Sequence, residues 1–277
     1  MTVVAGDPRA AIFASIADRL FTASLTAADA GIVTPVGTAV ATAEELGLSV
    51  TLRIDDGASV AAGEEILSLR GTARQIALAE ERLIGLLAKP SGIATAASRF
   101  VARAGSELRI VSGAWKKLPF SQKEMLRGAI AVGGVEPRIT TPPFVYLDKN
   151  FVAMLGGPER TMAAVAELDD HRRVIQIEDP TMAVVAARGG ADIVFVDTGR
   201  HADVSDAASA LRKAGLRDRV ELAFGGGVRL EDIDALRRLD LDVVDVGRPI
   251  VDAPLLDLRL SVIDDGGSRG SGTTDDR

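Results

Sequence analysis

Hydrophobic residues in the second half of this chain fall in short, nearly unbroken runs rather than in strict alternation. The runs are 109–112 (RIVS), 144–148 (FVYLD), 174–178 (VIQIE), 193–197 (IVFVD), 220–224 (VELAF) and 243–246 (VVDV). Apolar residues at successive positions predict strands buried on both faces, as in a parallel sheet covered by helices. Amphipathic stretches at about 121–132, 158–169, 180–188, 203–214 and 230–239 separate them, with Pro180 at a first helical position and Gly189–Gly190 or Gly215 as stops. The spacing is that of β-α units. Six such units predict an α/β barrel, closed or nearly closed, over residues 104–263.

Residues 1–103 carry a different pattern. A helical periodicity over 8–23 precedes Gly/Val/Thr-rich β material at 31–41 and 48–54, then DDGASVAAGEEILSLRG at 55–71 and a long helix from Thr72 to Leu87. Asp56-Gly57, Val60, Gly63 and Ile66 form a hairpin-and-return pattern, with glycines where positive φ is needed. The pattern resembles a half-motif of lipoyl and biotinyl carrier domains, but those present a lysine at the hairpin tip and no lysine precedes Lys89. The stretch is therefore expected to wall a small N-terminal α/β sandwich domain. At the other end, DDGGSRGSGTTDDR (264–277) has no apolar residue and is expected to be a disordered tail.

Composition narrows the chemistry. The 277 residues are enough for a large barrel or two modest domains, and 47% hydrophobic with only 4% aromatic content means mostly Ala, Val, Leu and Ile. With no cysteine, disulfides, thiolate metal sites and cysteine nucleophiles fall away. The two histidines, His171 and His201, flank a strand-helix unit and make a histidine metal cage a poor candidate. A net charge of −7 disfavours nucleic acid and anionic membranes as partners, yet leaves a small anionic substrate open. Asp7, Pro8 and Arg9 interrupt any secretory pattern, and no apolar window of about 18 residues occurs. A soluble cytoplasmic protein is expected.

In a barrel, function sits at the carboxyl ends of the strands. There the sequence places Asp148-Lys149, Glu178-Asp179, Asp197, Gly225-Gly226-Gly227 and Gly247-Arg248. One or two acids at such ends are ordinary where a strand leaves the core; a whole set on one rim is less so. Glycines after the last two strands form the usual phosphate site of barrel enzymes, where bare backbone N–H groups face the anion. Glu178 and Asp197, on adjacent strands, can bind ribose hydroxyls, hold Mg²⁺ through water or stabilise an oxocarbenium-like centre. Lys116, Lys117, Arg138 and Lys149 supply local cations for pyrophosphate or a carboxylate. A solvated surface pair is the plain alternative for Lys116-Lys117.

Residues 55–98, with SGIAT at 91–95, resemble quinolinate phosphoribosyltransferases, also called carboxylating nicotinate-nucleotide pyrophosphorylases. The similarity continues through KKLP (116–119), GGVEPR (133–138), VIQIED, DIVFVDTG (192–199), FGGGV (224–228) and VDVG (244–247). The resemblance implies attack of a quinolinate ring nitrogen on C1 of phosphoribosyl pyrophosphate, departure of Mg²⁺-pyrophosphate, and decarboxylation to nicotinate mononucleotide. It also implies a homodimer or higher homo-oligomer. Matched position by position, Glu178 falls on a glutamate of the family's V-E-V-E motif, Asp197 on the aspartate of L-D-N, and Lys116 on the lysine of D-T-R-K-T-x-P. Arg138 falls on the arginine of N-H-R, and Gly225, Gly226, Gly227 and Gly247 on the 5′-phosphate loops. Lys116, Glu178 and Asp197 are thus the expected catalytic residues, the two acids also meeting Mg²⁺ indirectly through pyrophosphate. Trp115, Lys117, Arg138, Lys149, Arg248 and the four glycines are the expected substrate contacts.

The departures gather on the acceptor side. The arginine of D-T-R-K falls on Trp115, the histidine of N-H-R on Pro137, an arginine of the E-R pair on Glu81 with Arg82 beside it, and the lysine of K-D-N-H on Asp148 with Lys149 beside it. Phe151 stands at that motif's histidine. A site for a diacid that loses cations and gains an indole is not an equivalent site. Two readings follow: a phosphoribosyltransferase acting on quinolinate or a related, less charged aromatic ring that Trp115 stacks, or a non-catalytic phosphosugar-binding barrel.

Overall fold

A computed structural model describes residues 7–263; the tail expected over 264–277 lies outside them. The chain forms two compact units, one of 7–92 with 255–263, the other of 93–254. The division expected at 103 therefore falls at 92/93, inside a helix, and the last strand returns to the first unit.

In the first unit the short helix α1 (Arg9–Ile12) leads to β1 (Leu20–Ala27), followed by β2 (Gly31–Ile32), α2 (Val36–Glu45), β3 (Ser49–Leu52), β4 (Ser59–Val60) and β5 (Glu65–Thr72). The antiparallel sheet runs β12-β1-β5-β3, β12 being Leu258–Ile263, and Leu25 pairs with Leu67 on one side and Leu260 on the other. Two expectations are corrected. Residues 20–23 are strand rather than helix, because pairing with segments distant in sequence outweighs their Leu/Ala content. Residues 36–41 open a helix rather than a strand: Val36, Ala39 and Ala43 are buried at helical spacing behind Pro35. Gly57 and Gly63 have φ of 78° and 85°, as the hairpin pattern requires. The helix α3 (Ala73–Ala104) buries Ile76, Ala79, Leu83 and Leu87 in this unit's core.

In the second unit, α3 contributes Ile93, Ala97, Phe100 and Ala104 to the core. Six parallel strands follow: β6 (Arg109–Val111), β7 (Phe144–Leu147), β8 (Arg172–Ile177), β9 (Ile193–Val196), β10 (Glu221–Phe224) and β11 (Val243–Asp245). Their order is β6-β11-β10-β9-β8-β7. Between them run α4 (Lys123–Val132), α5 (Lys149–Leu155), α6 (Pro158–Ala164), α7 (Ala183–Arg188), α8 (His201–Lys213) and α9 (Ile233–Leu236), with α10 (Arg248–Val251) after the last strand. One face of each strand packs on these helices through residues such as Ile110, Ile175, Val194, Leu222 and Val244. The other faces form a single inner cluster of Val111, Ile139, Val174, Ile193, Phe195, Ala223 and Val243, which Phe144 and Tyr146 join from the far edge. Side chains from both edge strands thus close the barrel interior. Apolar runs were the right signal because both faces are buried.

The inner parity decides what reaches each end. At the amino ends, Arg109 and Arg172 both bind Glu221, the latter at 2.7 Å. Desolvation pushes the Glu221 carboxyl up, but the two guanidiniums together outweigh it and hold the group below its usual value. At the carboxyl ends the same parity places Tyr146, Gln176, Asp197, Gly225, Asp245 and Gly113.

Candidate active site

Two adjoining cavities open at the carboxyl ends of the strands. The larger, about 370 Å³, is lined by Lys116, Lys117, Asp148, Lys149, Asp197, Gly226, Gly227, Gly247 and Arg248, among others. The smaller, about 230 Å³, is lined chiefly by apolar and aromatic groups: Val111, Trp115, Pro137, Ile139, Phe144, Tyr146 and Phe195, with Arg138 at one side. Gly113, Lys116, Tyr146, Phe195 and Asp245 belong to both walls. Lysines, an arginine and glycine backbone line the one compartment, and mainly apolar and aromatic groups the other.

Most of the residues expected from the sequence converge here, with three corrections. Glu178 does not reach the larger cavity. β8 ends at Ile177, and Glu178 lies exposed in a neighbouring cavity with Lys149, Gly157 and Met182. The inner position of β8 at this level is Gln176, which donates from Nε2 to Asp197 Oδ2 at 2.9 Å. Asp197 is thereby fixed with one oxygen engaged.

The glycine run is the second correction, because its members are glycine for different reasons. Gly225 is buried and lines neither cavity; a Cβ on it would stand 2.7 Å from the Phe195 ring. Gly226, at φ +103°, lies against Gly199, where a Cβ would come within 2.5 Å of the Gly199 nitrogen. Gly199 in turn donates its N–H to the Gly225 carbonyl at 3.0 Å. Gly227, at φ +86°, has open space where a Cβ would go. The Phe195 ring explains the first, close approach to the Gly199 backbone the second, and left-handed conformation the third.

Trp115 is the third. Its Nε1 donates to the Pro137 carbonyl at 2.6 Å, and the guanidinium carbons of Arg127 and Arg138 lie 4.8 and 5.6 Å from its ring centroid. The indole therefore holds Arg138 in place by cation–π contact and is a poor free stacking face.

Asp148 caps α5, accepting from the Asn150 and Phe151 N–H groups, and this accounts for an acid where the family motif has lysine. Glu81, at the arginine position of the first unit, is paired with Arg9. Arg248 bonds Asp252 at 2.8 Å one turn along. His171 pairs with Asp170 and His201 packs edge-on to Phe224, and neither lines a described cavity.

Sequence reasoning missed Gln176, Tyr146 and Asp245. Asp245 Oδ1 accepts from the Gly113 N–H at 3.0 Å. Desolvation raises its pKa, and Asp197 adds to the effect against the Gly113 hydrogen bond and the charges of Lys116 and Lys117. Tyr146 is half-buried and its hydroxyl is held protonated by desolvation, then by Asp245, Asp197 and Asp148; the Lys116 Nζ sits 5.2 Å from its ring centroid. A charged residue inside the otherwise apolar run VVDV was the signal available.

Comparison with known proteins places this geometry. Residues 9–91 match the family described as "Quinolinate phosphoribosyl transferase, N-terminal domain" and residues 93–261 its C-terminal domain. The chain belongs to the quinolinate phosphoribosyltransferase family. It is similar to a probable carboxylating nicotinate-nucleotide pyrophosphorylase of Archaeoglobus fulgidus, with 30% identity over 75% of this chain and 81% of the relative. A counterpart in Methanothermobacter thermautotrophicus is 29% identical over 87% and 88%. In fold, the chain matches the nicotinate-nucleotide pyrophosphorylase of Francisella tularensis at a TM-score of 0.80 and 20% identity, covering 95% of this chain and 92% of that one. In this quinolinate phosphoribosyltransferase family member, the boundary between the two matched domains coincides with the division at 92/93.

Proposed function

We propose that this protein transfers phosphoribose from phosphoribosyl pyrophosphate to the ring nitrogen of an aromatic acid, quinolinate or a related ring. The observation that carries the reading is the pair of cavities sharing one wall: an anion compartment against a ring compartment, with Lys116, Tyr146 and Asp245 between them. Gly226, Gly227 and Gly247 offer backbone to the 5′-phosphate, and Lys116, Lys117 and Lys149 offset the charge of pyrophosphate. The ring nitrogen bonds to C1 as the C1–O bond to pyrophosphate breaks. Asp197, held by Gln176, faces the positive charge that develops at C1. Names of carboxylating pyrophosphorylases on relatives spanning most of the chain support catalysis over a binding-only barrel.

Mg²⁺ enters as part of the pyrophosphate substrate, where it screens the leaving group's charge. Asp148, Asp197 and Asp245 are the acids lining the larger cavity, of which Asp197 and Asp148 would meet the ion's water shell, while Glu178, in the neighbouring cavity, would make at most an outer contact. Among the described residues no helix is long and apolar enough to cross a membrane. We read the protein as cytoplasmic and as a homodimer or larger homo-oligomer. Phe120 and Met154, 89% and 74% exposed, are apolar side chains of the kind an oligomer covers; light scattering on the full chain tests this, and a monomer at micromolar concentration rejects it.

The transfer reading is tested by titrating phosphoribosyl pyrophosphate with Mg²⁺ into the protein and following pyrophosphate release with ring acids. Asp197→Asn is expected to lower turnover by about 10²–10³-fold, the usual cost of losing one electrostatic stabiliser. Wild-type rates in that variant reject the assignment.

A further inference from the structure

Asp203 is the one charged residue among the buried positions of α8. It shares the inward stripe of that helix with Val204, Ala207, Ala208 and Leu211, and is 6% exposed. A carboxylate taken out of water costs free energy unless hydrogen bonds and opposite charge offset the loss. Asp203 has both, and both come from the loop that leads out of β9. The Thr198 hydroxyl donates to it, and Arg200 donates from Nε and Nη2 to Oδ2 at 3.0 and 2.8 Å. The Thr198 bond is the chief cause that holds its carboxyl below the usual carboxylate range, and with Arg200 it outweighs desolvation. Thr198 Oγ1 in turn accepts from the Arg200 backbone N–H at 3.3 Å, so one hydroxyl ties the turn both to itself and to the helix. An acid in the first turn also suits the positive end of the α8 dipole, but that effect needs neither burial nor a threonine partner.

The turn that Asp203 holds joins two parts of the site. Asp197 precedes Thr198, and Gly199 donates its N–H to the Gly225 carbonyl at 3.0 Å, while the Gly225 N–H returns to the Val196 carbonyl at 3.0 Å. A Cβ on Gly225 would stand 3.5 Å from Asp197 Oδ1, and one on Gly226 would stand 3.2 Å from the Thr198 carbonyl carbon. The acid that faces C1 and the backbone offered to the 5′-phosphate are thus packed on one another, and a shift of the 197–199 turn moves both. Gln176 steadies the Asp197 side chain from β8; Asp203 steadies the turn itself from the helix layer.

We propose that Asp203 is a positioning residue for phosphoribosyl transfer: through Thr198 and Arg200 it fixes the 197–199 turn, and through that turn the alignment of Asp197 with the Gly226–Gly227 loop. The proposal rests on the phosphoribosyl-transfer reading. No residue of 197–203 or 225–227 lines the ring compartment, so the effect falls on phosphoribosyl pyrophosphate and not on the ring.

Asp203→Ala and Thr198→Val remove the two sides of the contact, and Thr198→Ser keeps the hydroxyl. Calorimetry gives the Kd of each full-length protein for phosphoribosyl pyrophosphate with Mg²⁺, and pyrophosphate release gives turnover with the ring probes quinolinate and nicotinate. Asp203→Ala and Thr198→Val are each expected to raise that Kd about 10–100-fold, the effect of losing a hydrogen bond to a charged group. Turnover should fall by up to about 100-fold through the displaced acid, with KM for the ring unchanged. The double variant should be little worse than the poorer single one, because both break one contact, and Thr198→Ser should recover most of the affinity. A Thr198→Val protein whose Kd is within about twofold of wild type's overturns the proposal, whether or not Asp203→Ala folds and whether or not either ring is turned over. Equal rises in Kd and in ring KM, which mark a general loosening, also overturn it, as do additive losses in the double variant. A wild-type protein that does not bind phosphoribosyl pyrophosphate removes the transfer reading, and the proposal with it.

Discussion

Adding one methyl group at Gly226 and at Gly227 separates two reasons for a glycine in the loop after β10. In Gly226→Ala the new Cβ meets backbone atoms, the Gly199 nitrogen at 2.5 Å and its Cα at 3.0 Å, neither of which can swing aside as a side chain would. It also forces an L-residue to φ +103°. The backbone strain costs about 1–3 kcal/mol and overpacking about 1–3 kcal/mol more, so roughly 2–6 kcal/mol is expected against a total stability of about 5–15 kcal/mol. Gly227→Ala pays only the first cost, because nothing lies within 4 Å of its Cβ. Urea unfolding of both variants measures the difference, expected at about 1–3 kcal/mol, and calorimetry with phosphoribosyl pyrophosphate reads the loop's position. Gly226→Ala should lose affinity through displacement of the loop from the 197–199 turn. Equal destabilisation of the two variants, or a Gly226→Ala protein within about 0.5 kcal/mol of wild type, would refute the packing argument.

The remaining expectations concern charge and the indole. Glu221 has a depressed pKa in the folded state, so the stability it contributes is present above its ordinary value of 4.5 and is lost as pH falls through the folded one; Glu221→Gln should flatten that acid limb, and an unchanged midpoint-versus-pH curve counts against it. Arg109→Ala breaks the same cluster, whose side chains are about one-third exposed, and should cost about 1–2 kcal/mol at neutral pH, between exposed and buried pair values. Asp245 has the opposite sign: its pKa is raised, so its destabilising effect is absent below the ordinary 3.8, grows as pH rises from there to the folded value, and stays constant above it. Asp245→Asn should therefore melt above wild type at neutral pH and converge with it in acid; a lower neutral midpoint contradicts the assignment. Trp115→Phe keeps a ring but loses the Pro137 hydrogen bond, worth about 0.5–1.5 kcal/mol. It should raise KM for the acceptor more than it lowers kcat, whereas a pure kcat loss would speak against Arg138 positioning.

The barrel half was legible because burial on both faces writes strands as unbroken apolar runs, and all six appear within a residue or two of where those runs lie. The first unit was harder to read: residues 20–27 are strand only because β5 and β12 flank them, and β12 comes from the far end of the chain. At the site, rim positions such as Asp197, Lys116 and Gly227 followed from strand ends, but facing did not. Glu178 sits one residue past the end of β8, while the polar side chain that faces inward is Gln176. Asp245 looked like an ordinary member of its run until the parity of β11 turned it toward both cavities. The glycines were visible, yet their reasons, a Phe195 ring and the Gly199 backbone, are contacts across strands that local sequence does not contain.

The two cavities at the carboxyl ends of the strands are read as the place where phosphoribose is joined to a ring nitrogen. Mass spectrometry of a single-turnover mixture of the protein, phosphoribosyl pyrophosphate, Mg²⁺ and the ring probes addresses it directly. An N-ribosylated ring 5′-phosphate formed in step with pyrophosphate is the expected result; phosphoribosyl pyrophosphate left intact with every ring, by a protein that is folded, would contradict it.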